Sequence, residues 1–313
     1  MVNHREVNVN GLTMHIAEQG AGPLVLLLHG FPESWYSWRH QFQPLADAGF
    51  HVVAPDQRGY AGTDKPEAID QYTLLHLVGD VIGLIHALGE REAVVVGHDW
   101  GAPVAWNTAL LRPDIIRGVA GLSVPPSRRT PARPLDLLAQ RFGKGFYQIY
   151  FQEPGVADAE LGRDIKDTFR RFLVAASGDG TVTPSAAENA GFLDSMPRPE
   201  TLPSWLTEAD IDAFAEQYQR DGFTGGLNWY RNIDRNWELT AAWENARITP
   251  PALYFTGTRD AVRGFGAPDF IEKLPELLPN LRGVVDLEGC GHWTQQERPD
   301  EVNAALVEFL KGL

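Results

Sequence analysis

The chain has 313 residues, 43% of them apolar and 22% charged, enough for a sizeable core in one large domain with an insertion or in two domains. A formal net charge of -14 argues against a nucleic-acid partner, because the only basic cluster, Arg128, Arg129 and Arg133, is short and broken by prolines. Cys290 is the sole cysteine, which leaves neither an intramolecular disulfide framework nor a cysteine-rich metal site.

Residues 1–6 lack an apolar leader, and the longest apolar run, 24–28, is too short to span a bilayer. The expectation is a soluble, cytoplasmic protein with no membrane partner, its assembly open between monomer and homodimer. Alternation at Val7, Val9, Leu12, Met14 and Ile16 around Asn10-Gly11 predicts a β-hairpin. Buried strands follow at 24–29, 51–54, 93–97 and Ile116–Leu122, with helix-compatible stretches at 38–48, 74–88 and 102–111 between them. Such alternation predicts a mostly parallel sheet flanked by helices.

The rhythm stops after Ser123-Val124-Pro125-Pro126. It returns with a strand at 252–255, a helix at 271–278, a strand at 283–287 and a last helix over Pro299–Lys311. The stretch between carries no buried-strand signal. The expected organisation is a core of 1–127 and 237–313, interrupted by a helical cap at 128–236 over the carboxyl ends of the strands, where ligands bind in open α/β sheets.

One tract carries the chemistry. Val94-Val95-Val96-Gly97-His98-Asp99-Trp100-Gly101-Ala102 runs from a β-branched strand into a helix, with Asp99 at the turn between two glycines. The pattern is that of the nucleophile elbow of the α/β-hydrolase fold, with aspartate in place of serine. A serine must lose a proton to attack, whereas an aspartate, with a reference pKa of about 3.9, is already an anion at neutral pH. Attack on an amide or ester would give an anhydride that readily reverts. Displacement at saturated carbon gives a stable alkyl ester, so that is the chemistry Asp99 suits.

In this fold the triad order is nucleophile, acid, histidine. Of nine histidines only His292, in Gly289-Cys290-Gly291-His292-Trp293, lies beyond Asp99. The acid should follow a strand end. The end at Leu122-Ser123-Val124-Pro125 offers no carboxylate, whereas Thr256-Gly257-Thr258-Arg259-Asp260 offers Asp260, which would orient the imidazole. The strand ending at Leu28 leads into His29-Gly30-Phe31-Pro32-Glu33, a loop type that supplies one oxyanion-hole amide. Phe31 and Trp100 are therefore the expected amide donors, and the Phe31-Pro32 turn is suited to a cis peptide. Glu33 reads either as a water-orienting group near His292 or as a solvated loop carboxylate. Asp56 in Asp56-Gln57-Arg58-Gly59-Tyr60 reads as structural, bonded to nearby amides or to Arg58.

His29 to Tyr36, Asp56 to Tyr60, Gly97 to Gly101 and Gly291-His292-Trp293-Thr294-Gln295 together resemble the α/β-hydrolase-fold epoxide hydrolases over most of the chain. Within the cap, Tyr147 to Gly155 and Leu227 to Asn232 look like the two segments that each supply a tyrosine in that family. The resemblance implies that Tyr147 and Tyr230 meet the epoxide oxygen, with Tyr150 a neighbour competing for the first position. It implies an apolar epoxide and water as substrates, with no cofactor and no metal. One departure is Ala61, where the family usually has glycine. Trp35, Tyr150 and Trp229 are further expected substrate contacts, and Phe146, Phe151 and Trp205 expected apolar lining. Two other readings share the elbow: a haloalkane or haloacetate dehalogenase, and a non-catalytic ligand-binding protein that keeps the fold.

Overall fold

The computed structural model describes residues 1–180, 185 and 191–313, so the expected cap range includes positions outside the described residues. Asn10 and Gly11 take φ of 51° and 81°, the positive values a two-residue type I′ turn needs, and join β1 (Asn3–Val9) to β2 (Leu12–Gln19). The remaining strands are β3 (Leu24–Leu28), β4 (His51–Pro55), β5 (Ala93–His98), β6 (Ile116–Leu122), β7 (Ala252–Gly257) and β8 (Leu281–Leu287). They form one sheet in the order β1-β2-β4-β3-β5-β6-β7-β8. Pairings are parallel from β4 onward, while β2 lies antiparallel to both β1 and β4.

Side chains along β3 and β5 alternate between two apolar layers, as the two-residue period of a strand requires. Leu24, Leu26, Leu28 and Val95 face one layer, and Val25, Leu27, Val94 and Val96 face the other. Because both faces are buried, these strands read as continuous apolar runs. Helices α1 (Phe42–Asp47), α2 (Leu74–Ala87) and α3 (Gly101–Leu111) connect them. The helix expected over 38–48 is instead a 3-10 turn, Trp35–Trp38, followed by the shorter α1. Pro44 explains the difference: its ring would clash with the carbonyl of residue 40 in a helix begun earlier, yet it is tolerated in a first turn.

Between β6 and β7 the described residues form α4 (Pro134–Phe142), α5 (Tyr147–Tyr150), α6 (Val156–Gly162), α7 (Ile165–Ala175), α8 (Glu208–Tyr218), α9 (Thr224–Tyr230) and α10 (Ile233–Leu239). After β7 come α11 (Phe270–Leu277), α12 (Thr294–Glu297) and α13 (Pro299–Lys311). Phe169, Phe172, Phe214 and Trp229 of the insertion join the same apolar cluster as Leu28 and Phe31 of the core. The insertion is also bonded to core main chain: the Trp229 indole donates to Arg58 O at 3.0 Å, and Asn232 Nδ2 donates to Ile69 O at 2.6 Å. The chain leaves β3 to one side for β4 and leaves β5 to the other side for β6, so the crevice at the β3 and β5 carboxyl ends is a topological switch point. No described helix is long and apolar enough to cross a membrane.

Candidate active site

Asp99 stands directly after β5 with φ of 49°, a conformation that costs a residue with a Cβ about 1–2 kcal/mol. The turn is that tight because its flanks have no side chains. A Cβ on Gly97 would lie 2.0 Å from Gly101 O, and one on Gly101 would lie 2.0 Å from Leu28 O. The result is an aspartate side chain aimed into a cavity, with 13% of its surface still accessible. Asp99 Oδ1 accepts the Phe31 N–H at 2.8 Å, and the Phe31-Pro32 peptide is cis. Trp100, the other expected amide donor, is the residue that caps α3 immediately after Asp99.

His292 lies between two carboxylates. Its Nε2 is 3.3 Å from Asp99 Oδ2, and its Nδ1 is 3.2 Å from Asp260 Oδ1. Burial opposes a charge on this imidazole, but the two carboxylates outweigh it and hold the pKa well above the usual histidine value. Burial likewise disfavours both carboxylates, and His292 overcomes it, so Asp99 and Asp260 sit below the usual aspartate range. These directions favour a carboxylate, imidazolium, carboxylate arrangement at rest. The backbone of His292 is pinned as well: its N–H donates to Ala176 O at 2.8 Å, and its carbonyl accepts from His98 Nε2 at 2.7 Å.

Tyr147 on α5 and Tyr230 at the end of α9 face Asp99 across the cavity, their rings edge to face at 5.9 Å. Burial and then the Asp99 charge raise both phenol pKa values above the ordinary tyrosine value, which keeps the hydroxyls protonated. Gln148 Nε2 donates to Tyr147 Oη at 2.9 Å, leaving the phenol proton free to point elsewhere. The Trp100 ring stands perpendicular to Tyr230 at 5.2 Å. Phe31, Phe172, Phe192, Met196, Val262 and Phe265 supply the apolar wall on one side. A second groove reaches Asp99 and both phenols from the other side, past Trp100, Pro103, Val124, Leu138 and Ile233.

The structure therefore brings Asp99, Asp260, His292, Tyr147, Tyr230 and the Phe31 amide to one place. It does not bring Trp35, Tyr150 or Trp229 there. Trp35 packs against His4 and Phe42, on the far side of the sheet from the insertion. Tyr150 turns away and donates to Glu160 at 2.8 Å, and Trp229 is buried behind Trp100 with its indole on Arg58 O. Trp35 and Trp229 were expected at the substrate as apolar aromatic lining and Tyr150 by its proximity to Tyr147, but a neighbouring acceptor or ring decides where each packs. Phe146, Phe151 and Trp205 also lie outside the cavity wall.

Glu33 is neither solvated nor placed at His292. It is fully buried and accepts from Gly30 N at 2.9 Å, His98 Nδ1 at 2.7 Å, and Gln295 and Gln296 Nε2 at 3.2 Å each. Through His98 it reaches the His292 carbonyl, which steadies the loop that carries the imidazole. Asp56 accepts the amides of Trp35 and Gly62 and bonds His15, whereas Arg58 pairs with Asp80. Ser123, absent from the expected site, touches both Asp260 and His292. Its only sequence signal was its place at a strand end where an acid is expected. Among the described residues no group of three or more His, Cys, Asp or Glu side chains could hold a metal ion.

Sheet order, elbow and carboxylate-flanked histidine define an α/β-hydrolase whose nucleophile position holds an aspartate, and a family profile described as alpha/beta hydrolase fold matches residues 23–299. Epoxide hydrolase A of Mycobacterium tuberculosis is 47% identical over 99% of this chain and 97% of its own length. Epoxide hydrolase 1 of Siraitia grosvenorii is 44% identical over 99% and 98%. Among solved structures, an epoxide hydrolase from an endophytic Streptomyces superposes with a TM-score of 0.95 at 48% identity, covering 99% of this chain and 96% of that one. The chain belongs to the epoxide hydrolase family of the α/β-hydrolase fold.

Proposed function

We propose that the protein hydrolyses apolar epoxides to vicinal diols through an ester on Asp99, with water as the second substrate. One observation carries the reading: the Asp99 carboxylate and two phenols line one apolar cavity, and their surroundings favour the ionised carboxylate and the protonated phenols. The carboxylate suits attack on saturated carbon, and the phenols suit the alkoxide that leaves. The insertion at 128–236 is read as the cap that supplies those phenols.

In the first step an Asp99 oxygen attacks a ring carbon from behind, the carbon–oxygen bond of the epoxide breaks, and Tyr147 or Tyr230 gives its proton to the released oxygen. A hydroxyalkyl ester and a tyrosinate result. The His292 imidazolium then returns a proton, through solvent, to the tyrosinate. Esterification has already removed one of the two charges that favoured the imidazolium, so His292 becomes a neutral base when one is required. In the second step His292 takes a proton from water, whose oxygen attacks the ester carbonyl carbon. The amides of Phe31 and Trp100 hold the oxyanion, a contribution typically of about 2.7–4 kcal/mol per donor. Collapse breaks the bond to the alkyl oxygen, and the proton of the added hydroxyl passes to that oxygen. The diol departs, leaving the Asp99 carboxylate and the His292 imidazolium.

A single turnover of styrene oxide in oxygen-18 water, with enzyme in excess, tests the ester. The expected diol takes its new oxygen unlabelled from Asp99, and the label appears in the Asp99 carboxylate. Label found wholly in the diol means that water attacked the epoxide directly and the ester reading is wrong.

A further inference from the structure

Ser123 follows β6, the strand end at which no carboxylate is available. It is buried and holds φ of 70°, a region disfavoured for any residue with a Cβ. Two backbone contacts fix that conformation: Ser123 N–H donates to Phe255 O at 2.9 Å, and the Tyr254 hydroxyl donates to the Ser123 carbonyl at 2.8 Å. If the turn were all that mattered, glycine would suit it better. The side chain, however, is aimed at the acid and the base. Its hydroxyl donates to Asp260 Oδ2, and its Oγ lies 2.8 Å from His292 Nδ1. Both Asp260 oxygens are farther from that nitrogen, at 3.2 and 3.3 Å. A carboxylate can only accept, so the serine proton belongs to Asp260 and Oγ accepts the Nδ1–H of His292.

We infer that Ser123 is a positioning residue for His292, its hydroxyl carrying a link from Nδ1–H through Oγ–H to Asp260 Oδ2. Two acceptors, rather than Asp260 alone, then fix the tautomer that leaves Nε2 facing the Asp99 ester. The inference rests on reading His292 as the base that activates water against that ester. The other titratable groups around the imidazole are Asp99 at Nε2, Asp260 at Nδ1, His98 with its ring tilted against it at 5.0 Å, and Glu297, which is bonded to the amides of Gly291 and Trp293. None of these is removed by changing Ser123, so the effect of the hydroxyl can be read separately.

The experiment compares wild type, Ser123→Ala and Ser123→Gly in rapid-quench single turnovers of styrene oxide, following ester formation and ester breakdown on the intact protein by mass. Ala keeps the Cβ and its backbone strain, while Gly relieves the strain; both lose the hydroxyl. Ester formation should stay near the wild-type rate in both, and ester breakdown should slow roughly 10- to 100-fold, the range for losing a hydrogen bond to a charged group. The ester then accumulates, and the pH profile of breakdown moves to lower pH, because the imidazolium has lost an acceptor. Breakdown at the wild-type rate in both variants, recovery in Gly alone, or an equal fall in both steps overturns the inference. A wild-type enzyme that forms no adduct on Asp99 overturns the ester reading itself, and this inference with it.

Discussion

His292 Nε2 lies 3.3 Å from Asp99 Oδ2, and the two carboxylates beside it raise the imidazole pKa, so the proposed nucleophile and base are paired before any substrate arrives. A base in that state cannot accept a proton, and only consumption of the Asp99 charge releases it. His292→Gln should therefore leave ring opening in place and block ester breakdown by roughly 10²–10⁴-fold, the usual contribution of general base catalysis. Intact-protein mass spectrometry should show a stoichiometric adduct of substrate mass, on the peptide that holds Asp99. Continued diol release at the wild-type rate would remove His292 from the mechanism.

The same ion pairs make stability depend on pH. The folded pKa of His292 is raised, so its stabilisation is complete below its unfolded value near ~6.5 and is lost as pH rises through the folded value. Asp99 and Asp260 are lowered, so their share is present above ~3.9 and fades as pH falls through their folded values. Urea unfolding from about pH 4 to 10 should show the gap in stability between wild type and His292→Gln narrowing toward alkaline pH. A gap that widens instead contradicts the charged resting state.

Tyr147 and Tyr230 both face Asp99, and in the proposed mechanism either meets the departing oxygen. Each single Tyr→Phe change should slow ester formation by about 10- to 100-fold, and the double change by ~10³-fold or more, in line with loss of preorganised donors. Ester breakdown, measured after trapping, should be nearly unaffected. A double Phe variant that forms the ester at the normal rate, or wild-type release of halide from haloalkanes in preference to epoxide opening, would favour a dehalogenase.

Ala61, where the resemblance leads to an expected glycine, has a φ of 40°. A Cβ in this region costs about 1–2 kcal/mol, part of which is offset because glycine has more entropy to lose on folding. Ala61→Gly should raise the unfolding free energy by roughly 1 kcal/mol with no change in turnover. Thermal and urea unfolding read the first, and steady-state assays the second. A destabilised variant would show that the methyl group packs more usefully than the backbone strain costs.

The sheet was legible because β3, β5 and β6 announce themselves as short apolar runs, and the resumption at β7 marks the insertion. Asp99 was legible because its flanking glycines are demanded by backbone approach, a constraint written in composition. Tyr147 and Tyr230 could be singled out only through resemblance, since nothing in a helical tyrosine separates a cavity wall from a core. Trp35, Tyr150 and Trp229 were misplaced for that reason: the Glu160 acceptor, the Arg58 carbonyl and the His4 ring that hold them belong to other elements of the fold. Ser123 was passed over because a carboxylate was sought, although the strand end was the right place to look. Glu33 looked like a solvated loop residue because its four partners come from three separate stretches of chain.

Tyr230 sits between Trp229 and Asn232, whose side chains are bonded to main-chain carbonyls of the core, so this phenol is tied to the core as well as to the insertion, where Gln152 donates to its carbonyl at 2.9 Å. Phe192 and Met196 on the opposite wall are held from within the insertion, where Glu160 accepts the Phe192 amide and Arg171 bonds the Met196 carbonyl. The wall at Phe192 and Met196 is thus anchored within the insertion, whereas one of the two phenols proposed to meet the substrate oxygen is anchored to the core as well. Changes at positions 192 and 196 are therefore expected to reshape the cavity while Tyr230 keeps its station over Asp99.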